Sequence, residues 1–325
     1  MTARTARLFA LIASLAVMAN AAHAQAQNYP SRPLRYIVAF PPGASMDLSA
    51  RAIAQKLGEG LGQPVIVDNR PGGNTIVAAD VAAHAAPDGY TLFMALDSTL
   101  TLLPVAYAKV PFDPIRDFAP VTLFSRGAYT FFARTGAPYR TLGELVAWIK
   151  ANPGKLNVGA SVAQTQLLAH ALKQVAGVEI TSVPYKGTPP MLQALTAGEL
   201  DVVIDAVPLY LPLMKAGKVM ALATTGAVRT VQLPDTPTTR EAGFPQIEAE
   251  PWVGVFAPAG TPEPIIRRLN TELHRVFNDP EFRKRMQDVG QNPIFPSTPE
   301  QLGNLVKTQL ERSGPAVRAA GIKLE

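Results

Sequence analysis

The stretch Tyr36-Ile37-Val38-Ala39-Phe40-Pro41-Pro42-Gly43-Ala44-Ser45-Met46-Asp47 puts a strand, a stop and a helix start in immediate succession. Tyr36 to Phe40 is a short apolar run rich in β-formers, which reads as a buried strand. Pro41-Pro42-Gly43 ends it, and Leu48, Ile53, Leu57 and Leu61 then recur near one helical face. Outward from there the alternation continues. Pro64 to Asp68 reads as a second strand, Asn69-Arg70-Pro71-Gly72-Gly73 as a loop, and Asn74 as the N-cap of a helix reaching about Ala86. Pro87-Asp88-Gly89 turns the chain into a third strand, Thr91 to Leu96. Buried strands alternating with helices imply a mostly parallel α/β sheet flanked by helices on both faces.

The middle of the chain starts the pattern again. Thr141-Leu142-Gly143-Glu144 is a capping box opening a helix that ends near Asn152-Pro153-Gly154. Strands follow at Asn157 to Gly159, Ile180 to Val183, Val202 to Asp205 and Val219 to Thr224. Helices over Thr165 to Ala176, Pro189 to Ala197 and Leu209 to Ala216 lie between them. The last third opens with a strand, Trp252 to Ala257. Three helix starts come after it, at Thr261-Pro262, Asp279-Pro280 and Thr298-Pro299, with stops at Gly290 and Gly321. Two α/β units with a return of the chain suggest two lobes around a cleft.

Ligands of open α/β sheets sit beyond the carboxyl ends of the strands, so four strand-to-helix loops hold the candidate residues. The first is Pro42, Gly43, Ala44, Ser45, Met46 and Asp47. Gly43 permits unusual dihedrals, and Ser45 or Asp47 can cap the helix that follows. Amides at a helix N-terminus, aided by the dipole, suit an anion such as a carboxylate. A tight capped turn with no ligand has the same sequence. The second loop runs from Gly159 to Thr165 and offers Ala160, Ser161, Gln164 and Thr165; the alternative again is a plain turn, with Thr165 as N-cap. The third is Asp97, Ser98 and Thr99 at the end of a strand. In the fourth, Asp205 ends an apolar strand and either caps the next helix or faces a ligand. One such loop means little; several on two units fit a cleft that grips from both sides.

Composition narrows the function. Arg4 and Arg7, the apolar run Leu8 to Met18 and Ala22-His23-Ala24 have the layout of a secretory signal peptide over residues 1–24. The absence of cysteine removes disulfides, thiolate chemistry and a cysteine-linked lipid anchor. A net charge of +5, spread along the chain, argues against nucleic acid. Beyond the leader, His84, His170 and His274 each sit in a helical pattern with no trustworthy metal-ligand spacing, so no metal and no cofactor are expected. No nucleophile elbow, phosphate loop or dinucleotide fingerprint is present, and no acid pair has a local case for acid/base work. The expectation is a binding protein and not an enzyme. A sensing subunit of a signalling system and a periplasmic enzyme on a small acid are the alternatives.

The order of short motifs carries a resemblance. Tyr29-Pro30-Ser31-Arg32-Pro33, Phe40-Pro41-Pro42-Gly43 with Asp47, Asp68-Asn69-Arg70-Pro71-Gly72-Gly73-Asn74 and Ala86-Pro87-Asp88-Gly89-Tyr90 come first. Val183-Pro184-Tyr185-Lys186-Gly187, Leu233-Pro234-Asp235-Thr236-Pro237 and Phe256-Ala257-Pro258-Ala259-Gly260 follow. Together they resemble the solute receptors of tripartite tricarboxylate transporters, the Bordetella uptake family. The resemblance implies a two-lobed type II periplasmic binding-protein fold, with residues 25–123 plus 253–325 as one domain and 124–252 as the other. Strands near Val121 to Phe124 and Trp252 to Phe256 would cross between them. It also implies a periplasmic monomer whose Pro42–Asp47 and Gly159–Thr165 loops take a ligand carboxylate through backbone amides, and inner-membrane transporter subunits as partners.

Three positions depart from the family pattern. Ala44 stands where a second glycine is usual, the Gly159 loop is poorer in glycine and serine, and Leu96-Asp97-Ser98-Thr99 stands where the family usually has Thr-Ser-Gly-Thr. An acid there would repel a bound carboxylate unless screened, protonated or turned away. Asp97 either caps a turn or faces the cleft to bind a donor on the ligand, such as an ammonium, amide or hydroxyl. Leu96, Leu100 and Val162 hint at an aromatic ligand.

Overall fold

The computed structural model describes residues 29–288 and 294–320; the leader and the stops expected at Gly290 and Gly321 lie outside them. Two five-stranded sheets organise the chain. In the first lobe β1 (Leu34–Val38) leads into α1 (Ser45–Leu61), then β2 (Val65–Asn69), α2 (Ile76–Ala83) and β3 (Thr91–Leu96). Two short helices follow, α3 (Asp97–Thr101) and α4 (Leu103–Ala106), and then β4 (Phe118–Arg126). The second lobe holds β5 (Thr130–Arg134), α5 (Leu142–Ala151), β6 (Asn157–Ala160), α6 (Ala163–Ala176) and β7 (Thr181–Pro184). It continues with α7 (Thr188–Ala197), β8 (Val202–Asp205), α8 (Leu211–Lys215) and β9 (Val219–Thr224). The chain then returns to the first sheet as β10 (Trp252–Pro258), followed by α9 (Glu263–Asn278), α10 (Pro280–Asp288) and α11 (Pro299–Ala320).

Strand order is β2-β1-β3-β10-β4 in one sheet and β7-β6-β8-β5-β9 in the other. Each sheet is parallel except for one reversed strand, β10 between β3 and β4, and β5 between β8 and β9. Helices cover both faces, and the central strands are accordingly apolar throughout, as in VVID of β8 and TLFMAL of β3. This is the two-lobed type II arrangement. Aromatic residues anchor each core: Phe124 meets Phe277 at 5.2 Å between ring centroids, and Phe132 stacks on Tyr210 at 4.2 Å.

Local chemistry sets three of the helix starts. Thr141 Oγ1 accepts the Glu144 amide while Glu144 Oε2 accepts that of Arg140. Thr298 and Gln301 exchange a reciprocal pair, and Asp279 Oδ1 takes the Phe282 amide. Other starts differ from expectation. Asn74 is not an N-cap. It sits with Thr75 in left-handed backbone, φ 53° and 79°, and α2 begins only at Ile76. Strand β5, with its run Thr-Phe-Phe-Ala-Arg, and the short helices α3 and α4 have no counterpart in the elements expected from sequence.

The lobes are joined by two crossings. One is residues 127–129 between β4 and β5, and the other runs from β9 to β10. Gly127 N donates to Pro251 O at 3.0 Å, and Arg126 pairs with Glu250 at 3.3 Å. Fully buried Thr225 staples the crossings. Its Oγ1 accepts the Tyr129 amide and donates to Ala249 O.

Candidate functional site

The first loop turns at Gly43, whose φ of 84° suits glycine. Ala44 follows at φ −70°, ψ 157°, so the glycine usual at this position in the family is not needed for the backbone. Helix α1 starts at Ser45, which makes Ala44 the N-cap, not Ser45 or Asp47. Asp47 in the first turn instead reaches back. Its Oδ2 accepts Gly43 N and Arg51 Nε, both at 2.9 Å, and its Oδ1 accepts Asn69 Nδ2 at 2.8 Å. Asn69 Nδ2 also donates to Phe40 O, so this buried acid braces the whole loop. Burial raises the Asp47 pKa, but the bonds from Arg51, Gly43 and Asn69 outweigh it and leave the carboxyl below its usual range.

The second lobe repeats this device with a hydroxyl. Helix α6 begins at Ala163, so Thr165 is not its N-cap. Thr165 Oγ1 accepts the amides of Ser161 and Val162 and donates to Val162 O. Gly159 lets β6 pass under its neighbours; a Cβ there would stand 2.6 Å from Leu200 Cδ1.

Both loops face one cavity of about 60 Å³ between the sheets. At roughly 10–15 Å³ per water it holds a handful of waters. The first lobe supplies Phe40, Ala44, Ser45, Met46 and Leu96. The second supplies Ser161, Val162, Thr188, Asp205 and Ala206, the crossings add Tyr129 and Pro251, and the start of β10 adds Val253. Three helices, α1, α6 and α7, therefore point their N-termini at this space. The first-turn amides of α1 and α6 have no acceptor inside their own helices, whereas in α7 Pro189 and Pro190 carry no N–H, so it contributes its dipole and the amides of Thr188 and Met191. The buried Ser45 Oγ has no partner, and among the described residues no Lys, Arg or His stands on the wall.

Of the expected site residues, Ala44, Ser45, Met46, Ser161 and Asp205 line the cavity. Pro42, Gly43, Asp47, Ala160, Gln164 and Thr165 shape the loops behind it; Asp97, Ser98 and Thr99 form the buried start of α3. Sequence reasoning missed Tyr129, Thr188 and Pro251; Ala206 lay in the fourth candidate loop beside Asp205, and Val253 in the strand expected to cross between the lobes. Thr188 had a signal, the Thr-Pro helix start; the crossing residues had none.

Two buried acids flank the cavity. Asp205 Oδ1 accepts Ala206 N at 2.8 Å and its Oδ2 accepts the Tyr210 hydroxyl at 3.1 Å. Burial pushes its carboxyl up to about 6, against bonds from Thr188, Ala206 and Tyr210. Asp97 lies next to the wall residue Leu96, is 6% exposed, and its Oδ1 has no partner. Burial pushes it up to about 7, against the amides of Ser98 and of Asp97 itself. Burial thus favours the protonated form of Asp97, which lessens the repulsion an acid here would exert on a carboxylate. Tyr129 feels both acids; burial first, then the charges of Asp97 and Asp205, raise its hydroxyl well above 10.

Two antechambers adjoin the cavity. One, of about 620 Å³, shares Ser45 with it and lies between α1, α10 and the segment Pro208 to Lys215. The other, of about 450 Å³, shares Phe40 and Ser161 and is framed by Pro71 to Thr75, Tyr107 and Pro184 to Lys186. Among the described residues, no group of three His, Cys, Asp or Glu could hold a metal, and no helix is long and apolar enough to cross a membrane.

Two α/β lobes hinged by two crossings, with helix N-termini meeting at the cleft, define a solute-binding receptor of the periplasmic type. The family model for the tripartite tricarboxylate transporter family receptor matches residues 49–322, and the chain belongs to that family. It is 36% identical over 309 residues to a Pseudomonas sp. strain P51 protein from the tcbD-tcbE intergenic region, covering 93% of this chain and 91% of that one. Among solved structures, an R. palustris protein with adipate is 32% identical at a TM-score of 0.85, covering 91% of this chain and 99% of that one. MatC from Rhodopseudomonas palustris, with bound malate, is 33% identical at a TM-score of 0.83, covering 89% and 100%.

Proposed function

We propose that this protein is a periplasmic receptor that captures a small carboxylate-bearing solute by closing two lobes on it, and presents it to an inner-membrane transporter. The observation that carries the reading is the meeting of three helix N-termini on one cavity, with Ser45 Oγ unsatisfied and no cationic side chain among the described residues of the wall. Amide donors and helix dipoles then stabilise the anion without the desolvation cost of a buried cation. Relatives holding adipate and malate support a carboxylate ligand. The remaining wall (Phe40, Met46, Leu96, Val162 and Val253) suits an apolar body, aromatic rings included, and an amine-bearing ligand would meet Asp205. The lobes divide at the two crossings, close to the expected boundaries at 123/124 and 252/253, with Phe124 to Arg126 and Trp252 kept in the first sheet, and the receptor works as a monomer that binds without turnover.

The test uses Ser45, the first residue of α1, where proline is well tolerated. Ser45→Ala removes the hydroxyl; Ser45→Pro removes the hydroxyl and the amide proton. The probes are di- and tricarboxylates, amino acids and aromatic acids, each beside its amide, titrated by calorimetry. An acid binds where its amide does not, Ser45→Ala weakens it about tenfold, and Ser45→Pro weakens it by about tenfold more with no loss of melting temperature. Equal affinity in the two variants would remove the α1 amide from the site.

A further inference from the structure

The larger antechamber carries charge that the inner cavity lacks. Three cations line it: Arg51 on α1, Lys215 at the end of α8 and Arg285 on α10. Among the described residues, no Asp or Glu lines it. Arg51 is committed to Asp47 at 2.9 Å. Lys215 and Arg285 are exposed, reach it from opposite lobes, and have no carboxylate partner among the described residues. Leu48, Leu209, Leu211 and Met286 give it apolar walls. A recess with one sign of charge and low-dielectric walls focuses its field outward and raises the local concentration of counter-ions.

We infer that this antechamber is a collecting site for small organic anions, separate from the inner cavity, which concentrates them before they pass Ser45. The inference rests on the carboxylate reading for its purpose, while its geometry stands alone. The arrangement separates two tasks. Cations on the inner wall would carry a desolvation cost; in the antechamber they stay hydrated and act at a distance. Because the recess is walled by both lobes, its field is strongest when they are close together.

The chain contains no cysteine, so a single reporter thiol can be placed in the recess. Leu48 lines it and is 47% exposed, which makes Leu48→Cys the natural choice. The thiolate attacks the disulfide of the reagent, forms a mixed disulfide and expels a coloured thiolate or thione. The dianionic 5,5′-dithiobis(2-nitrobenzoate) and the neutral 4,4′-dithiodipyridine are used in parallel. The ratio of their rates cancels the accessibility and the pKa of the thiol. In low salt, adding Lys215→Gln and Arg285→Gln should lower that ratio about tenfold, within the range known for charged clefts. In about 0.5 M salt, where screening acts within a few ångströms, the two backgrounds should converge. A ratio that changes less than twofold on substitution overturns the inference. So does a ratio that responds to salt alone, because the field would then belong to the whole basic chain. The readout needs no ligand in the inner cavity, so failure of the carboxylate reading leaves it intact, and a thermal melt of each variant confirms folding.

Discussion

Replacing Asp97 by asparagine should stabilise the protein in alkali and leave it nearly unchanged in acid. The Asp97 carboxyl is pushed from its ordinary 3.8 up to about 7, first by burial. A raised carboxyl holds its proton in the folded state after the unfolded chain has lost it. Its stabilising contribution is complete below the unfolded pKa and is lost as pH rises through the folded one. Each pH unit between about 4 and 7 costs about 1.4 kcal/mol, giving an upper bound of about 4 kcal/mol above neutrality. The amide that Asp97→Asn introduces is uncharged at every pH and keeps the shape. The variant should therefore melt higher by roughly 5–10 °C at pH 8.5, taking about 2–3 °C per kcal/mol for a chain of this size. At pH 3.5, below the unfolded pKa, the difference should nearly vanish. Asp205, raised to about 6 by burial, tilts stability the same way but is present in both proteins and cancels. Calorimetric melts at the two pH values decide the matter. An equal gain at both, or no gain at pH 8.5, would mean that Asp97 is not held in a desolvated site.

Two further outcomes follow from the bonding around the cleft. Thr225→Val leaves the Tyr129 amide and the Ala249 carbonyl without their buried partner, so urea unfolding should show a loss of about 2–4 kcal/mol. Asp47→Ala frees Gly43 N and Asn69, and should cost about 1–3 kcal/mol together with carboxylate affinity. Because the Asp47 carboxyl titrates below its usual range, its contribution is present above that range and is lost as pH falls through the depressed value. Melts from pH 7 down to pH 3 should show the gap between parent and variant closing.

Most of the fold was legible because its elements announce themselves locally. Thr91–Leu96, Val202–Asp205 and Val219–Thr224 are short β-rich runs cut off by turn residues, and their observed bounds match the reading. Capping residues did the same for α5, α10 and α11, since a side chain that closes a helix end leaves its signature within four residues. Elements whose stability comes from packing were not legible in this way. Strand β5 owes its place to its neighbours β8 and β9, and α3 and α4 are too short to form without α11 and the sheet against them.

The candidate site divides along the same line. Strand-to-helix loops with small residues were visible in the chain, because the turn itself demands them. Which face of each loop meets the cavity was decided by tertiary structure. Asp47 and Thr165 turned inward to brace their own loops, while Ser45 was left open to the space. Tyr129 and Pro251 joined the wall because the crossings pass behind it, and Val253 because β10 begins there. The protonation of Asp97 also lies beyond the sequence, since it depends on how much water the folded protein removes from around the carboxyl. By itself the sequence determined the order of elements, the turn chemistry and the supply of donors. Only the tertiary structure decided which donors remain unsatisfied and where the charges stand, because both depend on contacts between residues far apart in the chain.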